Sequence, residues 1–197
     1  STTHTGDAID LDFAGTTTSI TNSGTVRTTS GNAIDVTAGD TLTTLTNSGT
    51  IAATTGKGVV AAGTITTLTN SGTISGTTGT TIDASGTVTT LTNSGTVSTT
   101  TGDAINVSGT VTTFTNSGTV SATTGEALVL GADTANTITN TGGTFTSANV
   151  TSTEGTVTVG AVDLVNTTIT GGTIANTASG ATNNAIYLSA TAQTGTF

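Results

Sequence analysis

The chain has 197 residues and a formal net charge of −9, with eleven acidic residues set against only Arg27 and Lys57. Too few cations are present to neutralise a phosphate backbone, which excludes a nucleic-acid partner. The absence of Cys excludes disulfide and thiol chemistry, and 3% aromatic residues cannot anchor an ordinary globular core.

What replaces that core is threonine, the commonest residue of the chain, together with 27 Gly and many Val and Ile. β-Branched residues fit pleated strands, whereas disordered chains lack them. No stretch of 18 apolar residues occurs, so no helix is expected to span a membrane. The chain does not begin with Met, and it reads as a mature or excised segment of a secreted protein.

Along the chain, residues 1–20 form a partial unit, GDAIDLDFAGTTTSI, and then a heptad begins to recur. It reads ITNSGTV from Ile20, LTNSGTI from Leu45 and Leu68, LTNSGTV from Leu91 and FTNSGTV from Phe114. The Thr-Asn pairs start at Thr21, Thr46, Thr69, Thr92, Thr115 and Thr139, in steps of 25, 23, 23, 23 and 24. A second block aligns with the same period as GNAIDV, GKGVVA, GTTIDA, GDAINV and GEALVL. Residues 139–197 continue as degenerate coils, a cap or an assembly end.

Within a unit the apolar residues alternate over short runs that Gly-containing turns interrupt, which is strand periodicity and not the 3.6-residue period of a helix. Three short strands cannot bury a face alone, but stacked equivalents one coil apart can. The predicted fold is all-β: one right-handed parallel β-solenoid over residues 1–197, with about eight coils of about 23 residues. At about 4.8 Å per coil its length is on the order of 40 Å.

In LTNSGTI, Leu45, Asn47, Gly49 and Ile51 share one side-chain parity, so an inward Leu45 and Ile51 carry Asn47 inward as well. One buried amide is costly, but a column can bond from coil to coil. Asn22, Asn47, Asn70, Asn93, Asn116 and Asn140 are therefore predicted to form an Asn ladder. Ser-Gly then makes the turn, Gly supplying positive φ. Ile65 and Leu68 stand three apart, which predicts a bend at the Thr-Thr pair between them.

Units of the type TNSGTI, TTGDAINV and GTVTTF resemble the repeats of bacterial autotransporter passenger regions and of related haemagglutinin-like β-helical adhesins. The resemblance runs from about Gly6 to Leu130. It implies a secreted chain on a bacterial surface, with an adhesive or matrix role toward host or matrix surfaces, and it transfers no active site. The translocator barrel and inserted catalytic domains of larger members are not written in these residues.

Chemistry is sparse. His4 is the only imidazole, expected to be solvated or capping, and no nucleophile-elbow motif accompanies it. Arg27 and Lys57 occupy different positions in their units, which argues against the joint cationic site of a carbohydrate-active β-helix enzyme. No catalytic residue and no cofactor are assigned. The weak metal candidates are Asp10 and Asp35, which share a column where Ca²⁺ would relieve their repulsion; the RTX calcium nonapeptide is absent.

An outward Thr-x-Thr ladder is expected from Thr44 and Thr46, Thr67 and Thr69, Thr90 and Thr92, Thr113 and Thr115. A regular ladder of that kind resembles the ice-binding face of some β-helical antifreeze proteins, the alternative function. From Leu164 onward no charged side chain occurs, whereas Asp7, Asp10 and Asp12 crowd the N-terminal end. That asymmetry disfavours N-to-N pairing and permits end-to-end, head-to-tail self-association.

Overall fold

In a computed structural model of the chain, every described element is a β-strand. The structure describes residues 6–130 and, beyond them, 136–140, 143–147, 159–164, 167–170, 173–176, 183–188 and 194–196. The first coil comprises β1 (Ile9–Leu11), β2 (Thr16–Asn22) and β3 (Thr25–Thr28). The second comprises β4 (Ile34–Val36), β5 (Thr41–Asn47) and β6 (Thr50–Ala53), and the third β7 (Val59–Ala61), β8 (Thr64–Asn70) and β9 (Thr73–Thr78). Next come β10 (Ile82–Ala84), β11 (Thr87–Asn93) and β12 (Thr96–Thr101), then β13 (Ile105–Val107), β14 (Thr110–Asn116) and β15 (Thr119–Ala122). The sixth coil holds β16 (Leu128–Leu130), β17 (Asn136–Asn140) and β18 (Thr144–Ser147). Five strands follow: β19 (Val159–Leu164), β20 (Thr167–Thr170), β21 (Thr173–Asn176), β22 (Asn183–Leu188) and β23 (Thr194–Thr196).

Every third strand belongs to the same sheet, so the coil has three sides. Sheet A runs from β1 to β22, sheet B from β2 to β23, and sheet C from β3 to β21, with every pairing parallel. The register places equivalent residues of successive units one above another, as in Leu45↔Leu68, Leu91↔Leu68 and Leu91↔Phe114. The parallel β-solenoid predicted from the repeat is the fold.

The coil number differs from the eight expected. The regular part of the solenoid has about five turns. The next step in sheet B is wider, Thr137 pairing with Thr168, a separation of 31. Sheet A widens likewise at Val129↔Asp163, 34 apart. Beyond Val129 more residues separate the paired strands than the regular step of 23, so uniform counting overestimates the regular rod.

The core is built from one small set of side chains per coil. In the second coil these are Ile34 and Val36 from sheet A, Leu42 and Leu45 from sheet B, and Ile51 from sheet C, all at 0% exposure. In β8 both Ile65 and Leu68 are fully buried although three residues apart, and the ladder to β5 skips Thr66. Strict alternation would put them on opposite faces. The chain therefore bends at the Thr66–Thr67 pair, as their spacing predicts, and β5, β11 and β14 repeat the pattern.

The role assigned to the Ser-Gly glycine changes. Among the described glycines, positive φ occurs at Gly39, Gly79 and Gly102, not at Gly24, Gly49, Gly72, Gly95 or Gly118. What the turn requires is close approach: a Cβ on Gly49 would lie 2.1 Å from the carbonyl oxygen of Gly24 in the coil beneath. Gly72, Gly95 and Gly118 each meet the preceding turn glycine's oxygen at the same 2.1 Å. At these four corners, coils at strand spacing leave no room for a methyl.

Candidate functional site

The most developed polar array is internal. Asn22 donates from Nδ2 to Oδ1 of Asn47, Asn47 to Asn70, Asn70 to Asn93 and Asn93 to Asn116, each at 2.8 Å. Each Nδ2 also reaches a backbone carbonyl of the coil above, Thr50, Thr73, Thr96 or Thr119, at 3.0 to 3.3 Å. Asn47, Asn70, Asn93 and Asn116 are 0% exposed, and Asn22 in the first coil is 7%. The predicted ladder thus exists over these five residues and has a direction: nitrogens point up the rod and oxygens down it. Asn140 pairs in register with Asn116, but its side chain lies outside the described residues.

The threonine columns fall where the heptad places them. Thr44, Thr67, Thr90 and Thr113 stack in one column, and Thr46, Thr69, Thr92 and Thr115 in another. All eight are half-buried, packed beside their neighbours in the column. Every outward residue of β5, β8, β11 and β14 is Thr, giving a charge-free face across four strands. Two residues along a strand span about 6.6–6.8 Å and adjacent strands lie about 4.7–4.9 Å apart, so this face is a two-dimensional lattice of hydroxyls and methyls.

Sheet A carries the acids. Asp10 pairs with Asp35, and the column continues through Val60, Asp83, Asn106 and Val129 to Asp163 and Tyr187. Asp10 and Asp35 both have carboxyls pushed above the ordinary value, chiefly by desolvation and then by neighbouring carboxylates; for Asp35 the hydrogen bond from Asn32 opposes the rise. Asn32 Nδ2 donates to Asp35 Oδ2 at 2.7 Å. Among the described residues no group of three or more His, Cys, Asp or Glu is placed to hold a metal.

The two cations do not converge. Arg27 sits on sheet C opposite Ala52, whereas Lys57 lies in the corner before β7 and forms an ion pair with Asp83. His4 lies outside the described residues. No helix among the described residues is long and apolar enough to cross a membrane.

Two polar devices escape a reading of the sequence by eye. Asp40 is buried, its Oδ1 accepting the Gly15 amide at 2.8 Å and its Oδ2 the Thr37 hydroxyl at 2.7 Å. The Phe13 and Ala14 amides add to these, and together they hold the carboxyl below its ordinary range. Ala14, with φ 49°, is the described non-glycine residue in the left-handed region, and its corner wraps this carboxylate. The signal was the long first step, from Thr21 to Thr46: DFAG and TAGD lengthen one corner in the first two coils.

The second device is the residue after the corner glycine. Asp7 Oδ1 accepts from the Asn32 amide, Asn32 Oδ1 from the Lys57 amide at 3.1 Å, and Asp103 Oδ1 from the Glu126 amide at 3.1 Å. The Asp and Asn of GDAI and GNAI therefore cap the backbone of the coil above. Comparison with protein families, with curated proteins and with solved structures found no match for this chain.

Proposed function

We propose that the chain is a non-catalytic structural and adhesive rod of a bacterial exterior, a fibre subunit that stacks head to tail. The observation that carries this reading is the unbroken coil-to-coil register with its directional Asn ladder, an arrangement whose product is length and rigidity. The likeness of the TNSGT units to autotransporter passenger and haemagglutinin-like repeats supports the setting. A threonine-covered, acidic surface supports it too, since such a rod stays hydrated and colloidally stable outside a cell.

Antibody raised against the purified chain should label intact producing cells, and the chain should compete with those cells for host or matrix surfaces. Label that enters only after lysis would sink the reading. Replacing His4, Arg27 and Lys57 by Ala should leave adhesion unchanged; loss of function in all three would return attention to catalysis.

A second reading, recognition of ice, is favoured by the sheet B face of outward Thr on four successive strands. Its test is thermal hysteresis and ice shaping at micromolar protein. Replacing Thr67 and Thr90 by Lys should abolish both effects without altering the fold, and absence of hysteresis in the parent chain removes the reading.

A further inference from the structure

The first coil keeps apolar residues at Ile9, Leu11, Ile20 and Val26 but has Thr17 where the next coil buries Leu42, and no described strand covers it from beneath. Ile9 and Ile20 are only partly buried, although their column partners Ile34 and Leu45 are fully covered. Phe13, in the corner that joins β1 to β2, is 58% exposed, and it is the exposed large apolar side chain among the described residues. Val26 on β3 is partly buried as well, under a fully covered Ile51, so partly covered apolar side chains line the first strand of all three sheets, and the most exposed one, Phe13, stands between sheets A and B.

The corner between sheets B and C is different. Gly49, Gly72, Gly95 and Gly118 each donate their amide to the backbone oxygen of the Asn in the coil beneath, at 3.1 to 3.2 Å. Gly24 instead donates to Oδ1 of its own Asn22, at 3.2 Å. That bond gives a partner within the chain to the one ladder oxygen which takes no amide from an Asn below.

The far edge has the matching asymmetry. Sheets A and B each hold eight strands and end on β22 and β23, whereas sheet C holds seven and ends one level lower on β21. Among the described strands only sheets A and B reach this top level, and the corner that holds the exposed Phe13 joins their first strands.

From this we infer that the edge formed by β1 and β2 docks on the β22 and β23 edge of a second copy of this chain. The inference rests on the fibre reading and names the contact that would build the fibre. Parallel pairing selects the occupant, because only the far edge of a solenoid of the same hand can continue both sheets in the same direction.

Charge agrees with that choice. Neither β22 nor β23 carries a charged residue, so nothing on them opposes Asp7, Asp10 and Asp12, which would repel a second N-terminal edge. The register columns also run through. The Ile9 column reaches Ile186, and the Thr21 column reaches Thr196. Docking therefore continues these columns, and it sets Ile20 over Gly195, the last residue of its own column.

Ile20→Lys is the discriminating variant, because the ammonium can reach water at a free edge but would be trapped between docked coils. The wild-type chain should show sedimentation that rises with concentration, and rods longer than one molecule in electron micrographs. Ile20→Lys should keep the parental circular dichroism while losing assembly. A second measurement does not depend on that variant. Because the chain has no cysteine of its own, oxidation of mixed Thr21→Cys and Thr196→Cys chains should crosslink one to the other, since these positions end the same column. A wild-type chain that stays monomeric, a folded Ile20→Lys chain that assembles like the parent, or crosslinking of Thr21→Cys to itself would each overturn the inference. If assembly follows this pattern but intact cells are not labelled, the docking edge stands and only its placement on a cell exterior falls.

Discussion

Asn70 bonds to the coil below, to the coil above and to its own turn, entirely out of water. It accepts from Asn47, donates to Asn93 and to the Thr96 carbonyl, and reaches the Gly72 carbonyl. Asn70→Ala would leave the Asn47 amide and the Asn93 oxygen without their ladder partner. With about 1–3 kcal/mol for each buried group left unsatisfied, the loss of stability should be about 2–4 kcal/mol, measured by urea unfolding. A loss within the range of a surface substitution would show that the ladder is a passive consequence of the repeat. Gly72→Ala should be as damaging for a steric reason, because its methyl would fall 2.1 Å from the Gly49 oxygen.

Acid titration at the same scale pulls in two directions. The folded carboxyl of Asp40 is held below its unfolded value by the Gly15, Thr37, Phe13 and Ala14 donors. Its contribution is therefore complete above the ordinary carboxylate range and is lost as pH falls through the lowered folded value. Asp10 and Asp35 are raised, so they destabilise the ionised coil, and that cost is relieved as they protonate. Asp40→Asn should flatten the acid limb of the stability profile, and Asp35→Asn should raise stability at neutral pH. Urea midpoints followed from neutral pH down through the carboxylate range check both signs; a profile unchanged by Asp40→Asn contradicts the assignment.

At the scale of the element, the seven-residue strand of sheet B is where one sequence serves three surfaces. In TITTLTN, Ile65 and Leu68 fill the core, Asn70 joins the ladder, and the four threonines face out. The outward positions should tolerate change, with Thr90→Ala altering stability by no more than about 0.5 kcal/mol. The Lys57–Asp83 pair joins the corner before β7 to strand β10 at the surface, with side chains 40% and 18% exposed. Lys57→Met should cost at most about 1 kcal/mol, and the difference should shrink in high salt.

For the whole molecule, stability is a sum of coils and of the interfaces between them. Removing residues 64–86 joins Gly63 to Thr87, and Thr87 is the register partner of Thr64, so the rod closes by one complete repeat. That deletion should give a folded, all-β chain about 4.8 Å shorter, seen by circular dichroism and small-angle scattering. Deleting residues 64–74 alone would break the register and should unfold the coils on either side. Equal damage from the two deletions would contradict the repeat as the unit of stability.

The solenoid, its three strands per coil, the bend at the Thr-Thr pair and the inward asparagines were all legible in the sequence. Each follows from a local period of two, or from its interruption at the Thr-Thr pair, repeated from coil to coil: whatever one coil buries, the next must bury directly above it. The tertiary structure decided what a single coil cannot express. The turn glycine is required by the carbonyl of another coil and not by its own φ, which no property of the heptad Leu45–Ile51 alone reveals. Asp40 is an anion wrapped by an amide 25 residues earlier in the chain, visible only once two long corners are stacked. The ladder's polarity, nitrogen up and oxygen down, arises from the direction of stacking. A pattern within one coil can be read from the order of residues. Contacts between coils, and the apolar side chains left uncovered on the first of them, exist only when the coils are placed one upon another.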